Sequence, residues 1–157
     1  MIAYRIARTE HVRDMSGSGS RIHGGRWNPK GTSVLYTSES RSLAALELYA
    51  NRARVAKVRG FSVAKIVIPD KATIKKLTLA DLPKDWNRYP APVELANIGA
   101  QWVGSGETLV LSVPSVLVYQ ERNYLINPAH PEMVKVRIDV IEEYVLDRRL
   151  IPDKHKA

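Results

Sequence analysis

No cysteine occurs among the 157 residues, which excludes disulfides and thiolate zinc sites. Histidine is scarce too: His11, His23, His130 and His155 are scattered, none in an H-E-x-x-H pair, so no metal site is expected. No apolar run approaches the roughly 20 residues needed to cross a bilayer. The opening MIAYRIARTE carries charge where a signal peptide needs an apolar segment. The expectation is a cytoplasmic protein with no membrane partner. Repeats, low-complexity tracts and an interdomain linker are also missing, so residues 1–157 are read as one domain.

Acidic residues are the minority, 16 against 24 Lys and Arg, a formal charge of +8. Such a surface attracts nucleic acid, phosphorylated metabolites or an acidic protein. The basic residues are spread along the chain, and the modest cluster NRARVAKVRG (51–60) lacks the interleaved aromatics of a single-strand-binding surface. A solvated basic surface is therefore the favoured reading.

What is present is a 45% hydrophobic chain with alternating strand and helix signals. MIAYRIAR reads as an edge strand. DMSGSGSR (14–21) reads as a flexible stretch, suited to a mobile flap, that leads into Gly24-Gly25. SVLYTS (33–38) reads as a strand with Val34, Tyr36 and Ser38 on one face. From Ser40 the period turns helical. Ser38 or Ser40 can cap, and Leu43, Leu46, Glu47 and Ala50 form the inward stripe. GFSVAKIVIPD (60–70) is a strand closed by Pro69, LPKDWNRYPAP (82–92) a proline-punctuated loop, and residues 91–106 a helix begun near Pro92 and stopped by Gly104 and Gly106. TLVLSVPSVLV (108–118) is a strand interrupted at Pro114, which should expose Ser115 at the kink. MVKVRIDV (133–140) alternates like a half-exposed strand. Strands dominate over about two helices, giving an α+β fold with a mixed sheet.

Glu47 is the residue that needs explaining, because a glutamate on an apolar stripe requires a partner. It either forms a salt bridge to a nearby arginine, or lies on a stripe that only grazes the core, or is a carboxylate at the floor of a cleft, placed against positive charge that develops on a substrate. Arg26 follows two glycines that permit close approach to a ligand, and its guanidinium fork suits phosphate. Tyr36 is core filler or a stacking platform. Ser115 lacks a G-x-S-x-G context and is read as a hydrogen-bonding residue, not a nucleophile. His23, beside the glycines, is a weak candidate for ligand contact, and His130 is a turn residue.

GGRWNPKGTSVLYTSESRSLAALELYAN (24–51) and LSVPSVLVYQERNYLINPAHP (111–131) together resemble the RES domain, the toxin of Xre-RES toxin–antitoxin pairs in bacteria. The likeness runs from the first strand to VLDRRL. It implies Arg26, Glu47 and Ser115 as the name-giving residues, with Tyr36 beside them. Ser115 is chosen over Ser112 because it follows the proline. The implied fold is similar to the ADP-ribosyltransferase core, a split mixed sheet with a dinucleotide in its cleft.

The implied substrate is NAD+, with no prosthetic group. Glu47 would stabilise the oxocarbenium-like ribose, Arg26 hold pyrophosphate or ribose, Tyr36 stack on nicotinamide, and Ser115 orient the amide or a ribose hydroxyl. His23 and Asn28 would add contacts to the dinucleotide. The acceptor stays open among water, phosphate and a protein side chain, that is, glycohydrolase, phosphorylase or mono-ADP-ribosyltransferase. The implied partner is a helix-turn-helix antitoxin of Xre type, with nucleic acid reached only through it and a homodimer allowed within the complex. Two other classes remain: an RNA-binding or RNA-cleaving toxin using His23, Arg26 and Glu47, and a noncatalytic interaction domain in which Glu47 pairs with Arg26.

Overall fold

The computed structural model describes residues 1–51, 60–147 and 149; most of the basic cluster NRARVAKVRG lies outside them. It is an α+β fold built on one seven-stranded mixed sheet. The strands are β1 Ile2–Arg8, β2 Leu35–Ser38, β3 Phe61–Val67, β4 Ile74–Lys76, β5 Val110–Pro114, β6 Arg122–Ile126 and β7 Arg137–Tyr144. Their spatial order is β4-β5-β6-β2-β1-β3-β7. Only β4 and β5 run parallel; the other neighbours are antiparallel. The helices are α1 Ser18–His23, α2 Arg41–Ala50 and α3 Val93–Ser105.

β1 is therefore interior, not the edge strand its sequence suggests. Against β3 it pairs along its whole length, from Ile2 opposite Val67 to Arg8 opposite Phe61. Against β2 it meets at one position, Tyr4 opposite Ser38. The sheet is nearly split there, and the polar residues that mimic an edge pattern flank that opening. The true edges are β4 and the charge-rich β7, where charge discourages further strand pairing. β7 starts later than MVKVRIDV implies. Met133–Lys135 belong to a 3-10 turn that His130 caps by accepting the Glu132 N–H on Nδ1.

Alternation along the strands divides the core. Leu111, Val113, Leu125 and half-buried Tyr36 face α3 and join Trp27, Trp86, Leu95 and Trp102. Ala3, Leu35, Ala64, Ile66, Val110 and Ile126 pack on the other side around Val12. Helix α2 starts at Ser40, whose Oγ accepts the Leu43 N–H. Its buried residues are Leu43, Ala44 and Leu48, whereas Leu46 and Ala50 are exposed. The expected stripe is thus displaced: α2 rests on β1 and β2 through the 43–44–48 side. Glu47 stands half-buried at that side's border.

The stretch 14–21 is tied down by its own side chains. Asp14 accepts from Ser16 and Ser18, and those bonds hold its carboxyl down at about 2. Ser20 Oγ bonds both the N–H and the C=O of Val34, fixing α1 to the start of β2. Serines that look like linker residues in sequence are here local hydrogen-bond partners.

One glycine sets how close α3 comes to the loop that carries Arg26. A methyl built on Gly99 would lie 1.7 Å from the Trp27 carbonyl oxygen. Gly99→Ala should therefore push helix and loop apart, destabilising the fold by about 1–3 kcal/mol. A melting experiment should show Tm lower by roughly 3–10 °C; an unchanged Tm refutes the tight packing.

Candidate active site

Four elements converge beside the sheet opening. In β2 and β6 the register sets Tyr36 opposite Leu125 and Ser38 opposite Asn123. In β5 and β6, Val113 lies opposite Asn123. Paired residues of antiparallel strands share a face, so Tyr36 and Asn123 project to the same side as α3. There α2 brings Glu47 over Asn123, and the end of β5 brings Ser115.

Pro114 occupies the last ladder position of β5, opposite Arg122, where a missing N–H is tolerated. The chain then turns, closed by Ser115 N–H to Glu121 C=O. Ser115 ends up fully buried, so the kink hides it instead of exposing it. Its Oγ donates to Glu47 Oε1 at 3.0 Å and accepts the N–H groups of Leu117 and Val118. With one proton and two lone pairs engaged, this hydroxyl serves the carboxylate and has nothing left for a substrate amide or ribose hydroxyl. Ser112, the alternative serine, lies on the opposite face, where its Oγ accepts from Arg122 Nε.

Glu47 Oε1 takes a second, shorter bond from Asn123 Nδ2 at 2.6 Å. Sequence reasoning missed Asn123. The signal available was an asparagine two residues before Leu125 in a strand, hence on the same face as that core leucine.

Arg26 is half-buried and donates from Nη1 to the carbonyls of Trp86 at 2.7 Å and Arg88 at 3.3 Å, and from Nη2 to Arg88. The proline-punctuated loop thus acts as its cradle. Burial draws the guanidinium below its usual range, and the nearby Glu47 and Tyr36 oppose that shift. Glu47 takes its hydrogen bonds from Ser115 and Asn123, not from Arg26. Among the described residues no ion pair joins Arg26 to Glu47.

Tyr36 Oη donates to Asn28 Oδ1 at 2.7 Å and accepts the Trp27 N–H at 3.0 Å. The space left by the missing side chain of Gly25 is occupied by this hydroxyl: a methyl there would lie 2.6 Å from it. The close approach foreseen for a ligand is thus used by Tyr36. Asn28 is buried, with its amide donating to the carbonyls of Ser20, Pro29 and Thr32. It braces the loop from inside and offers no group to a dinucleotide. His23 is exposed at the end of α1, on the rim of the larger cleft.

A cavity of about 80 Å³ is lined by Arg26, Trp27, Tyr36, Glu47, Pro114, Val116 and Asn123. Arg26, Tyr36, Glu47 and Asn123 also line a cleft of about 700 Å³ that runs along β1, α1 and α2. The small cavity is thus a recess of a cleft within the size range of small-molecule sites. Among the described residues no three His, Asp or Glu side chains are grouped to hold a metal ion.

The RES domain family matches residues 2–147. "Prs ADP-ribosylating toxin" of Sphingobium sp. (strain YBL2) is 37% identical over 147 residues, covering 92% of this chain and 91% of that protein. "Toxin Res" of Yersinia enterocolitica is 37% identical over 131 residues, covering 83% and 86%. "Toxin Res" of Photorhabdus laumondii is 32% identical over 157 residues, covering 98% and 99%. Among solved structures, a chain of the M. tuberculosis MbcT–MbcA toxin–antitoxin complex shares the fold with TM-score 0.72 at 16% identity, over 92% of this chain and 84% of that one. Matched along nearly all its length, and with Arg26, Glu47 and the serine after the proline gathered around one recess, the chain belongs to the RES domain family.

Proposed function

We propose that the protein is the toxin of a toxin–antitoxin pair and consumes NAD+ in the cytoplasm by breaking the bond between nicotinamide and ribose. The observation that carries this reading is Glu47, a carboxylate fastened through one oxygen to Ser115 and Asn123 at the wall of a recess opening into the 700 Å³ cleft.

In the reaction the electron pair of the C1′–N1 bond goes to the pyridinium nitrogen, nicotinamide departs as a neutral ring, and positive charge develops on the ribose. Glu47 stabilises that charge more in the transition state than in the bound substrate, which is what accelerates the step. Tyr36 and Trp27 supply apolar wall for the nicotinamide. Arg26, steadied by the Trp86 and Arg88 carbonyls, turns its remaining N–H donors to phosphate or ribose oxygens. Ser115 acts on Glu47 alone. NAD+ is thus a substrate, and no prosthetic group takes part in the step.

The acceptor is water or phosphate in the favoured reading: its oxygen bonds to C1′ and its proton passes to solvent. Transfer to a protein side chain is the second reading, favoured by the relative named an ADP-ribosylating toxin at 37% identity. Cleavage of RNA has less support, since no histidine among the described residues lines the recess. An antitoxin partner is supported by the solved neighbour being a toxin–antitoxin complex, and the +8 surface suits an acidic segment of such a partner.

Incubating the purified chain with NAD+, with and without phosphate, and identifying the products tests the reading. Free nicotinamide with ADP-ribose, ADP-ribose phosphate or a labelled protein is the expected set; intact NAD+ and unlabelled protein with a folded chain refute it. Glu47→Gln keeps an oxygen to accept from Ser115 and Asn123 while removing the charge, so kcat should fall about 10²–10³-fold with Tm nearly unchanged. Equal losses of Tm and turnover would instead assign Glu47 a structural role. Arg26→Ala should cut kcat/KM by about 10–100-fold, and Arg26→Lys should not restore it, because a point charge cannot span two carbonyls and still face a substrate.

A further inference from the structure

We propose that Asn123 is a positioning residue for the NAD+-cleaving step, oriented by Ser38, and that it selects which oxygen of Glu47 meets the substrate. The proposal deepens the reading above and rests on it.

The orientation of the Asn123 amide is dictated by chemistry. An ionised carboxylate only accepts, so the amide must turn its NH₂ to Glu47. Its Oδ1 then faces Ser38, whose hydroxyl donates to it at 2.7 Å. Ser38 and Asn123 are register partners in β2 and β6, so the backbone ladder sets their separation. The result is a short relay, Ser38 to Asn123 to Glu47, held by two paired strands.

Both donors that reach Glu47 bind the same atom, Oε1: Asn123 Nδ2 at 2.6 Å and Ser115 Oγ at 3.0 Å. Among the described residues no buried side-chain oxygen lacks a partner. Oε2, which takes no hydrogen bond from a described residue, is therefore not sealed in the interior, and it is the oxygen assigned to the substrate. The terminal torsion of a glutamate is broad and nearly two-fold. Two donors on one oxygen, approaching from β6 and from the turn after β5, fix the carboxylate plane against that freedom. Without Asn123 only Ser115 would hold it, and the plane could swing about one bond. Misplacement of a catalytic group by about 1 Å costs on the order of 10²-fold, and supporting side chains exist to prevent it.

The test is steady-state nicotinamide release from NAD+ by wild type, Asn123→Ala, Asn123→Asp and Ser38→Ala, with circular dichroism to confirm folding. Asn123→Ala should lower kcat by about 10–100-fold with KM changed less than about threefold. Ser38→Ala, which removes only the orienting bond, should lower kcat by a smaller factor, and it serves alone if Asn123→Ala does not fold.

Asn123→Asp supplies the feature that a structural strut would not show. Its new carboxyl lies against Glu47, so the pair shares a proton with a raised apparent pKa. While that proton is present the new carboxyl can donate to Oε1 as the amide did. Activity should therefore survive at the acidic end and fall as pH rises through that pKa, in contrast to the wild-type profile.

A kcat for Asn123→Ala within threefold of wild type, or an Asn123→Asp profile parallel to wild type, overturns the proposal. Wild type that leaves NAD+ intact overturns instead the reading on which it rests. Positioning is then decided by proton exchange of the Asn123 side-chain amide: slow in wild type and fast in Glu47→Ala supports it, whereas fast in both refutes it.

Discussion

One oxygen atom organises this site. Glu47 Oε1 accepts from Ser115 and Asn123, and removing a carboxylate from water without such donors would cost several kcal/mol. Charge-assisted bonds of this kind contribute about 1.5–3 kcal/mol each and offset the cost of half-burying the Glu47 side chain beside apolar walls. Each donor has its own structural prerequisite. Ser115 arrives because Pro114 ends the β5 ladder and the chain turns inward. Asn123 arrives because the β2–β6 register puts it over Ser38. Glu47 arrives because Ser40 caps α2 and fixes which side of that helix faces β1 and β2.

The sheet supplies the space. A fully paired β1–β2 ladder would bring two strands within hydrogen-bonding distance along their length and leave no groove between them. Here they pair only at Tyr4 and Ser38, and residues of both strands line the large cleft. α1 bounds that cleft because Ser20 ties it to Val34. The same serines that look like a flexible linker thus give the cleft a fixed wall.

Much of this was legible from residue order. The helix from Ser40, the strand closed near Pro69 and the helix from Pro92 each carry a strong local signal, and the structure contains all three. Arg26 and Glu47 stand out because an arginine after glycines and a glutamate among leucines are locally anomalous, whereas Tyr36 and Ser115 are joined to them by the resemblance to the RES domain. What stayed hidden depends on long-range pairing. Nothing near MIAYRIAR says that β3 will pair along its whole length. Nothing in LPKDWNRYPAP says that its carbonyls will hold Arg26 from 60 residues away. For Asn123 the alternation with Leu125 gives the face but not the partners, which follow from register with Ser38, 85 residues earlier in the chain.

The separation of Arg26 from Glu47 is the last constraint. Opposite charges side by side in a low-dielectric recess attract strongly, and direct contact would make an ion pair whose fields largely cancel nearby. Instead each charge is held by neutral partners: Arg26 by two backbone carbonyls, Glu47 by a hydroxyl and an amide. The attraction acts across the gap and opposes the downward shift that burial gives the Arg26 guanidinium. Under the proposed NAD+ cleavage, two opposed charges kept apart by neutral ligands would suit a substrate that presents anionic phosphates at one end and, during bond breaking, a cation at the other. A site built as a single salt bridge would match neither.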